Sequence, residues 1–431
     1  MKRRVLKSLM MGLVVGIVLT GGMLSNTHAE AKQKKVTYIT GNQFVSYVAK
    51  KTGIKKEAIN EGTYGKVADG KKKITQEDAA VILNWCDLQL NGGTYSTKKY
   101  DAVVSKSRIK DRKKINPTKK EDMYQCFVKG ILVGKKNGNY THTRSLEPKK
   151  KVTTSQRKTY VSRLVNKGKR IKITDDGQVT RRTNLPKNYK CYSYILDSFP
   201  NKYYEWNFSF QNPKYSRPQK NLEDFAWPKD VRKYHTGFGL VGTALDIDGD
   251  TYMDRILKNV RTRLSYNYKK TSTKKFVSDI VSTSNEYNWG SDWLSKFEKE
   301  LRAYVKRAKK NHVQLTCKQV STDISSAYFD GGLIFRVAAT FKVKADKVPS
   351  AVYHQPNDQT SILSGDDPFI TGLKKNKYVT KFFDVRLSGD QAPETWRVVD
   401  SAEYSGDVLC EQIEKKQVKK GLNWKCELMD N

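Results

Sequence analysis

Gly130-Ile131-Leu132-Val133-Gly134-Lys135-Lys136-Asn137-Gly138-Asn139-Tyr140 is the string on which the fold turns. It starts where one apolar-periodic segment ends, at Met123, Cys126, Phe127 and Val128. It runs on through Leu146-Glu147-Pro148 to Val152-Thr153, where a second such segment begins. The glycines permit a sharp turn after the first helix, and Asn137-Gly138 suits a turn with positive φ. Tyr140 is placed to cover the core beneath the loop. Thr153 or Thr154 caps a helix whose buried side carries Tyr160, Val161 and Leu164. The pattern is helix, glycine loop, proline loop, helix.

A looser copy lies upstream. Phe44, Val45, Val48 and Ala49 have the spacing of a short amphipathic helix. After the glycine-bounded stretch Gly65–Gly70, Thr75 is an N-cap with Asp78 three residues on, followed by an apolar stripe of Ala79, Ala80, Ile82, Leu83 and Leu88. This layout resembles the S-layer homology (SLH) family. Its repeat reads as a helix, then G-[IL]-[IV]-x-G-x-x-[DN]-G-x-[FY], a proline loop, and [IV]-T-R-A-E opening a second helix. Residues 130–140 and 148–153 match closely, residues 43–90 more weakly, and the resemblance spans residues 41–167.

The resemblance implies an all-α module of helix-loop-helix repeats that binds anionic secondary cell-wall polysaccharide, or another peptidoglycan-linked polymer, without a covalent bond. In that family the threonine-arginine-alanine-glutamate string contributes to the ligand site. The matching positions here are Thr75, Gln76 and Asp78 in one copy and Thr153, Gln156 and Arg157 in the other. Both copies depart from the family at the arginine: they read Thr75-Gln76-Glu77-Asp78 and Thr153-Thr154-Ser155-Gln156. Losing a bidentate anion contact is not conservative. Arg157 and nearby lysines offer replacement charge; the alternative is that the fold alone is retained. Two copies are visible, whereas the family often uses three.

Charge agrees with an anionic partner. The chain has 431 residues, 81 Lys+Arg against 44 Asp+Glu, and a formal net charge of +37. That favours nucleic acid, anionic lipid or an acidic polymer. The N-terminus selects among them: Lys2, Arg3, Arg4 and Lys7 precede the apolar run Leu9–Leu24 and the small-residue site Thr27-His28-Ala29. Residues 1–29 therefore read as a secretory signal peptide. Export argues against nucleic acid, and no later stretch is long and apolar enough for an integral membrane span. The first cysteine is Cys86 and the C-terminus lacks an apolar tail, so non-covalent attachment at the cell surface is the expectation. The six cysteines show no CxxC pair; a Cys86–Cys126 link and buried free thiols both remain open. The whole chain resembles secreted SLH proteins of Gram-positive bacteria (Firmicutes).

The remaining chain reads differently. After a basic lead-in at 30–40 and repeats at 41–93 and 94–167, residues 168–190 form a basic joint with a tight turn at Asp175-Asp176-Gly177. Residues 191–431 read as an α+β domain, an antiparallel sheet packed on helices. Helices are expected at 253–266 and 291–311, the latter from Trp293, Phe297, Leu301 and Val305. Strands are expected at 313–320, 333–343, 379–387 and 396–404, with Arg336, Thr340, Lys342 and Lys344 on the polar face of the second.

Three site candidates fall in this second part. Asp246, Asp248, Asp250 and Asp254 have the close spacing of a Ca²⁺ loop, although Thr251 stands where such loops usually have glycine. Their alternative reading is an acidic first turn on the helix beginning near Met253. No other cofactor is indicated. The aromatic cluster Tyr192, Tyr194, Phe199, Tyr203, Tyr204, Trp206, Phe208 and Phe210 suits either sugar stacking or a second core. His142, His235, His312 and His354 lie in no nucleophile or metal motif. The chain thus reads as a surface protein displaying a binding domain; an exported glycan hydrolase targeted by the same module is the alternative.

Overall fold

The computed structural model describes residues 36–67, 70–186, 189, 194–205, 240–284, 290–326, 328–329, 333–346, 375–388 and 397–398. The expected signal segment 1–29 lies outside them. The class is α+β, with helices throughout and small antiparallel sheets.

The N-terminal part contains α1 (Gly41–Thr52), α2 (Lys56–Gly62), α3 (Gln76–Asn91), α4 (Thr97–Ser105), α5 (Lys120–Val128) and α6 (Thr154–Val165). Each of α1, α3 and α6 packs against the other two. Their shared core takes Phe44, Val48, Ala79, Ile82, Leu83, Val161 and Leu164, with Met123 and Phe127 from α5. Leu88 departs from the expected apolar stripe and is 52% exposed.

What sets the three helices around one axis is a ring of backbone hydrogen bonds. Ile39 N–H donates to Val152 C=O (3.2 Å), Val152 N–H to Ile74 C=O (2.9 Å), and Ile74 N–H to Ile39 C=O (3.0 Å). A second ring repeats the order one step out: Gly41 to Lys72, Gln76 to Lys150, and Thr154 to Thr37, at 3.0, 2.9 and 3.0 Å. Each short segment ends in a threonine that caps the helix behind it: Thr40, Thr75 and Thr153. The first copy, Ile39-Thr40-Gly41-Asn42-Gln43, is a third unit beyond the two expected from the sequence.

The string Gly130–Tyr140 does reverse the chain. Gly130 has φ 70°, and a Cβ there would stand 1.9 Å from the Ile171 carbonyl oxygen; Gly134 has φ 59° and would meet Ser145 O at 2.2 Å. Both positions need the left-handed region and a close backbone approach, so only glycine fits. The loop forms the hairpin of β1 (Lys135–Lys136) and β2 (Arg144–Ser145).

Residues of the basic joint at 168–190 pack into the N-terminal core. Ile173 and Val179 belong to the N-terminal core, on either side of the Thr174–Gln178 turn. Ile195, Leu196, Phe199, Tyr203 and Tyr204, the last two in the short α7 (Asn201–Glu205), form a separate apolar cluster with Ala338 and Phe382.

The C-terminal part has α8 (Leu240–Arg263), α9 (Thr273–Val281) and α10 (Gly290–Lys310). Strands β3 (Gln314–Thr322), β4 (Tyr328–Phe329), β5 (Leu333–Lys344), β6 (Val379–Ser388) and β7 (Arg397–Val398) follow. The sheet order is β3-β5-β6-β7, with β4 paired to β5, and every pair is antiparallel. Phe335, Val337, Ala339, Phe341 and Val343 on one face of β5 pack on Tyr252, Ile256 and Val260 of α8 and Phe297, Leu301, Tyr304 and Val305 of α10. Each such burial contributes about 1.5–3 kcal/mol. The other face is not simply polar, as the alternation had suggested. Arg336 and Ala338 are 1% and 2% exposed, because the Tyr203 cluster covers that end of the sheet.

Candidate binding site in the N-terminal module

The two threonine-led strings at 75–78 and 153–157 sit side by side, since Thr75 bridges to Lys151 and Tyr160 Oη donates to Gln76 Oε1 (3.1 Å). Their side chains, however, are engaged internally. Thr75 Oγ1 accepts from Asp78 N–H (3.2 Å) and donates to Asp78 Oδ2 (2.6 Å), and Asp78 also meets the Lys119 ammonium. Gln76 and Asp78 are only 1% and 3% exposed. Gln156 closes a capping box with Thr153, accepting from Thr153 N–H (2.9 Å) while its own N–H donates to Thr153 Oγ1 (3.2 Å). Arg157 donates to Gln43 C=O (3.2 Å) and lies 4.2 Å over the Tyr47 ring. These six residues build the hub of the three helices; Gln76 and Asp78 are buried there, and Thr75, Thr153, Gln156 and Arg157 are half-buried.

A better-shaped site lies one face away, between the end of α2, the outer side of α3, and α5. It is a half-open pocket of about 220 Å³, lined among others by Gly62, Lys66, Asn84, Trp85, Asp122 and Lys129. The Trp85 indole forms one wall and rests on Gly62, where a Cβ would stand 2.1 Å from the ring. Polar groups run across the floor. Lys66 Nζ donates to Asp122 Oδ2 (3.3 Å), Asn84 Nδ2 to Asp122 Oδ1 (2.8 Å), and Lys129 Nζ to Asn84 Oδ1 (2.8 Å).

Behind that floor is Asp87, 0% exposed, paired with Lys129 (2.9 Å) and with Arg170. Burial pushes its carboxyl up, but hydrogen bonds and charge from Lys129 and Arg170 outweigh that and hold it below the usual aspartate range. The Lys129 ammonium is thereby fixed in place, with a side chain 2% exposed. Lys66, paired with Asp122 at 3.3 Å, keeps 51% of its side chain exposed at the rim.

Chemically the pocket offers a flat aromatic wall, an amide, a carboxylate and one exposed cation. That set suits stacking and hydrogen bonding of a sugar ring. Asp122 is the single carboxylate among its lining residues, whereas glycan cleavage by the paired-acid route needs two.

The other expected sites land elsewhere. Asp246, Asp248, Asp250 and Asp254 all lie within α8, which begins at Leu240. The backbone is helix where a metal loop or a first turn was expected. On a straight helix, positions 246, 250 and 254 share one side and 248 falls opposite. Asp254 is exposed, and the side chains of the other three lie outside the described residues. Among the described residues no group of three metal-ligating side chains occurs. Phe199, Tyr203 and Tyr204 are fully buried core, while Tyr192, Trp206, Phe208 and Phe210 lie outside the described residues. Cys86, Cys126 and Cys317 are free thiols; Cys126 Sγ donates to Ala80 C=O (3.3 Å) and burial raises the pKa of all three. Among the described residues no helix is long and apolar enough to cross a membrane.

Two features escaped the sequence reading. The third cap was marked by Ile39-Thr40 and Gln43, the same spacing as Val152-Thr153 and Gln156. The pocket had no local signal, because its residues come from three separate elements. In comparisons with known proteins, the chain matches no family model, no curated protein and no solved structure.

Proposed function

We propose that this chain is a secreted cell-surface protein whose N-terminal, SLH-like module holds an anionic wall polysaccharide of a Gram-positive cell without a covalent bond. The observation that carries the reading is the ring of three threonine-capped helices, Thr40, Thr75 and Thr153, with the Trp85 pocket on its flank. It is supported by the glycine-loop motif at 130–140 and by a net charge of +37, which adds a long-range, salt-sensitive attraction to any polyanion. Sugar contact is assigned to the Trp85 pocket, since the hub residues Gln76 and Asp78 are buried.

The test is co-sedimentation of the chain, without residues 1–29, with purified Gram-positive cell walls. Wild type should pellet at low salt. Trp85→Ala, which removes the stacking wall, should reduce retention by about tenfold, as expected for loss of an aromatic contact worth roughly 1–1.5 kcal/mol. Failure of wild type to pellet at low salt would sink the proposal.

A further inference from the structure

Among the described residues, one face of the sheet in the C-terminal part is only half covered. Tyr203, Phe382 and Tyr140 close its β3–β6 end nearest the N-terminal module, with ring centroids of Tyr140 and Phe382 5.7 Å apart. Beyond Phe382 on β6, the same face continues through Thr380 to Tyr378 just before the strand, and Tyr378 is 49% exposed. Two lysines converge on that ring. Lys342 Nζ of β5 stands 5.2 Å from its centroid and Lys318 Nζ of β3 5.6 Å. Between them and Phe382 the Thr340 and Thr380 hydroxyls meet at 2.8 Å.

The backbone helps to make this arrangement. The β3–β5 register shifts between Cys317 and Gln319, and the residue in the bulge is Lys318. A bulge re-aims a side chain that a regular ladder would point elsewhere. Two ammonium groups drawn to one ring repel each other, and among the described residues neither has a carboxylate partner. An anion placed between them relieves that repulsion. The row also reaches the N-terminal module: Lys202 lies 5.5 Å from the Phe382 ring, Gln319 beside the bulge donates to Tyr140 C=O (2.6 Å), and Lys136 of the same loop donates to Asp197 C=O (3.3 Å).

We infer that this sheet face, Lys318, Lys342 and Tyr378 with the Thr340–Thr380 pair, is a second contact for the anionic wall polysaccharide. The inference rests on the wall-polymer reading above and gives the C-terminal part a share in attachment. Lysines supply the charge contact, threonine hydroxyls bond sugar hydroxyls, and the exposed edge of Tyr378 packs on a ring face.

The experiment compares three forms of the full chain lacking residues 1–29. In Lys318→Ala/Lys342→Ala the face loses its two cations. In Lys299→Ala/Lys306→Ala the same charge is removed from the exposed side of α10. On purified walls the first variant should bind about tenfold more weakly than wild type and elute at lower salt, on the order expected for two surface lysines facing an anionic layer. The second should elute with wild type. Equal shifts in both variants would assign the effect to diffuse charge and overturn the inference, as would unchanged elution of the first. Titration with polygalacturonate, a soluble carboxylated glycan, separates this outcome from failure of the wall reading. If wild type does not pellet with walls, the wall reading falls, and unchanged polygalacturonate affinity in Lys318→Ala/Lys342→Ala removes the sheet face as well.

Discussion

Inside the N-terminal module Asp87 faces two cations, Lys129 and Arg170, from a position with no solvent access. Asn91 Nδ2 also donates to its Oδ1 (2.8 Å), and Arg170 Nε donates to Arg163 C=O (3.0 Å). One carboxylate thus ties α3, α5 and the segment after α6 together. Asp87→Asn keeps the shape and removes the charge, leaving two cations without their buried counter-ion. The expected cost is about 3–5 kcal/mol, read as a lower urea midpoint. Its pKa is lowered in the folded state. The stabilisation is therefore complete above the ordinary aspartate range and is lost as pH falls through the lower folded value. A variant whose acid-unfolding curve and urea midpoint both match wild type would show that this cluster holds nothing.

At the scale of elements, the three threonine caps are near-equivalent in geometry and unequal in environment. Thr40 and Thr153 each close a capping box with a glutamine. Thr75 instead caps toward Asp78 and also donates its hydroxyl to that carboxylate. Alanine at Thr40 or Thr153 should cost about 1 kcal/mol each. Thr75→Ala should cost more, because buried Asp78 then keeps Lys119 but loses a donor. Melting temperatures of the three single variants check the order; equal losses would refute it. These caps also mark how far the sequence is legible. Thr75 and Thr153 stand before apolar helical runs and are readable from spacing alone. Thr40 is followed by Gly41-Asn42, poor helix formers, and its helix holds only through packing of Phe44 and Val48. The same limit applies to α8, where Asp246, Asp248, Asp250 and Asp254 read as a Ca²⁺ loop or the first turn of a helix from near Met253, yet the helix runs from Leu240. Tertiary contacts of Tyr252, Ile256 and Val260 with the sheet outweigh local preference. The pocket residues Lys66, Trp85, Asp122 and Lys129 carry no common spacing, so no periodicity could have gathered them.

Across the whole molecule, the two parts meet through residues whose destination the sequence does not reveal. Tyr140, read as a cover for its own repeat, inserts against Phe199, Tyr203 and Phe382 instead, and its N–H donates to Ser198 C=O (2.7 Å). Beside it lies a buried polar cluster. Asp323, following β3, is 0% exposed and accepts from Gln178 Nε2 (2.6 Å) and from Ser325 N–H (2.9 Å). The same Gln178 nitrogen donates to Asp176 Oδ2 (2.7 Å), which Arg108 also holds (2.9 Å). His142 Nδ1 stands 3.7 Å from Asp323, Tyr194, Tyr203 and Tyr204 face it from the segment at and before α7, and Arg336 of β5 acts on Tyr203 in the same cluster.

Burial first, then the charge of Asp176, raises the pKa of Asp323, while His142 and the Ser325 hydrogen bonds pull the other way. For Asp176 the burial penalty is outweighed by Arg108, Thr174 and Gln178, and its pKa is lowered. The two acids are pushed apart: Arg108 and its neighbours hold Asp176 below the ordinary aspartate range, and burial with the Asp176 charge lifts Asp323 above it. A carboxyl with a raised pKa binds its proton more tightly when docked than when released. Docking of the two parts is therefore strongest below the ordinary aspartate value and weakens as pH rises through the raised one. The N-terminal core follows the opposite sign through Asp87, so in mild acid the joint tightens while the module remains intact. Small-angle scattering between about pH 4.5 and pH 8, a window that starts just above the ordinary aspartate pKa, should show a larger radius of gyration at the alkaline end. Asp323→Asn keeps an acceptor for Gln178 and removes the titration, so its radius should stay at the compact value throughout. Expansion with the same pH profile in that variant would mean that another group governs the joint.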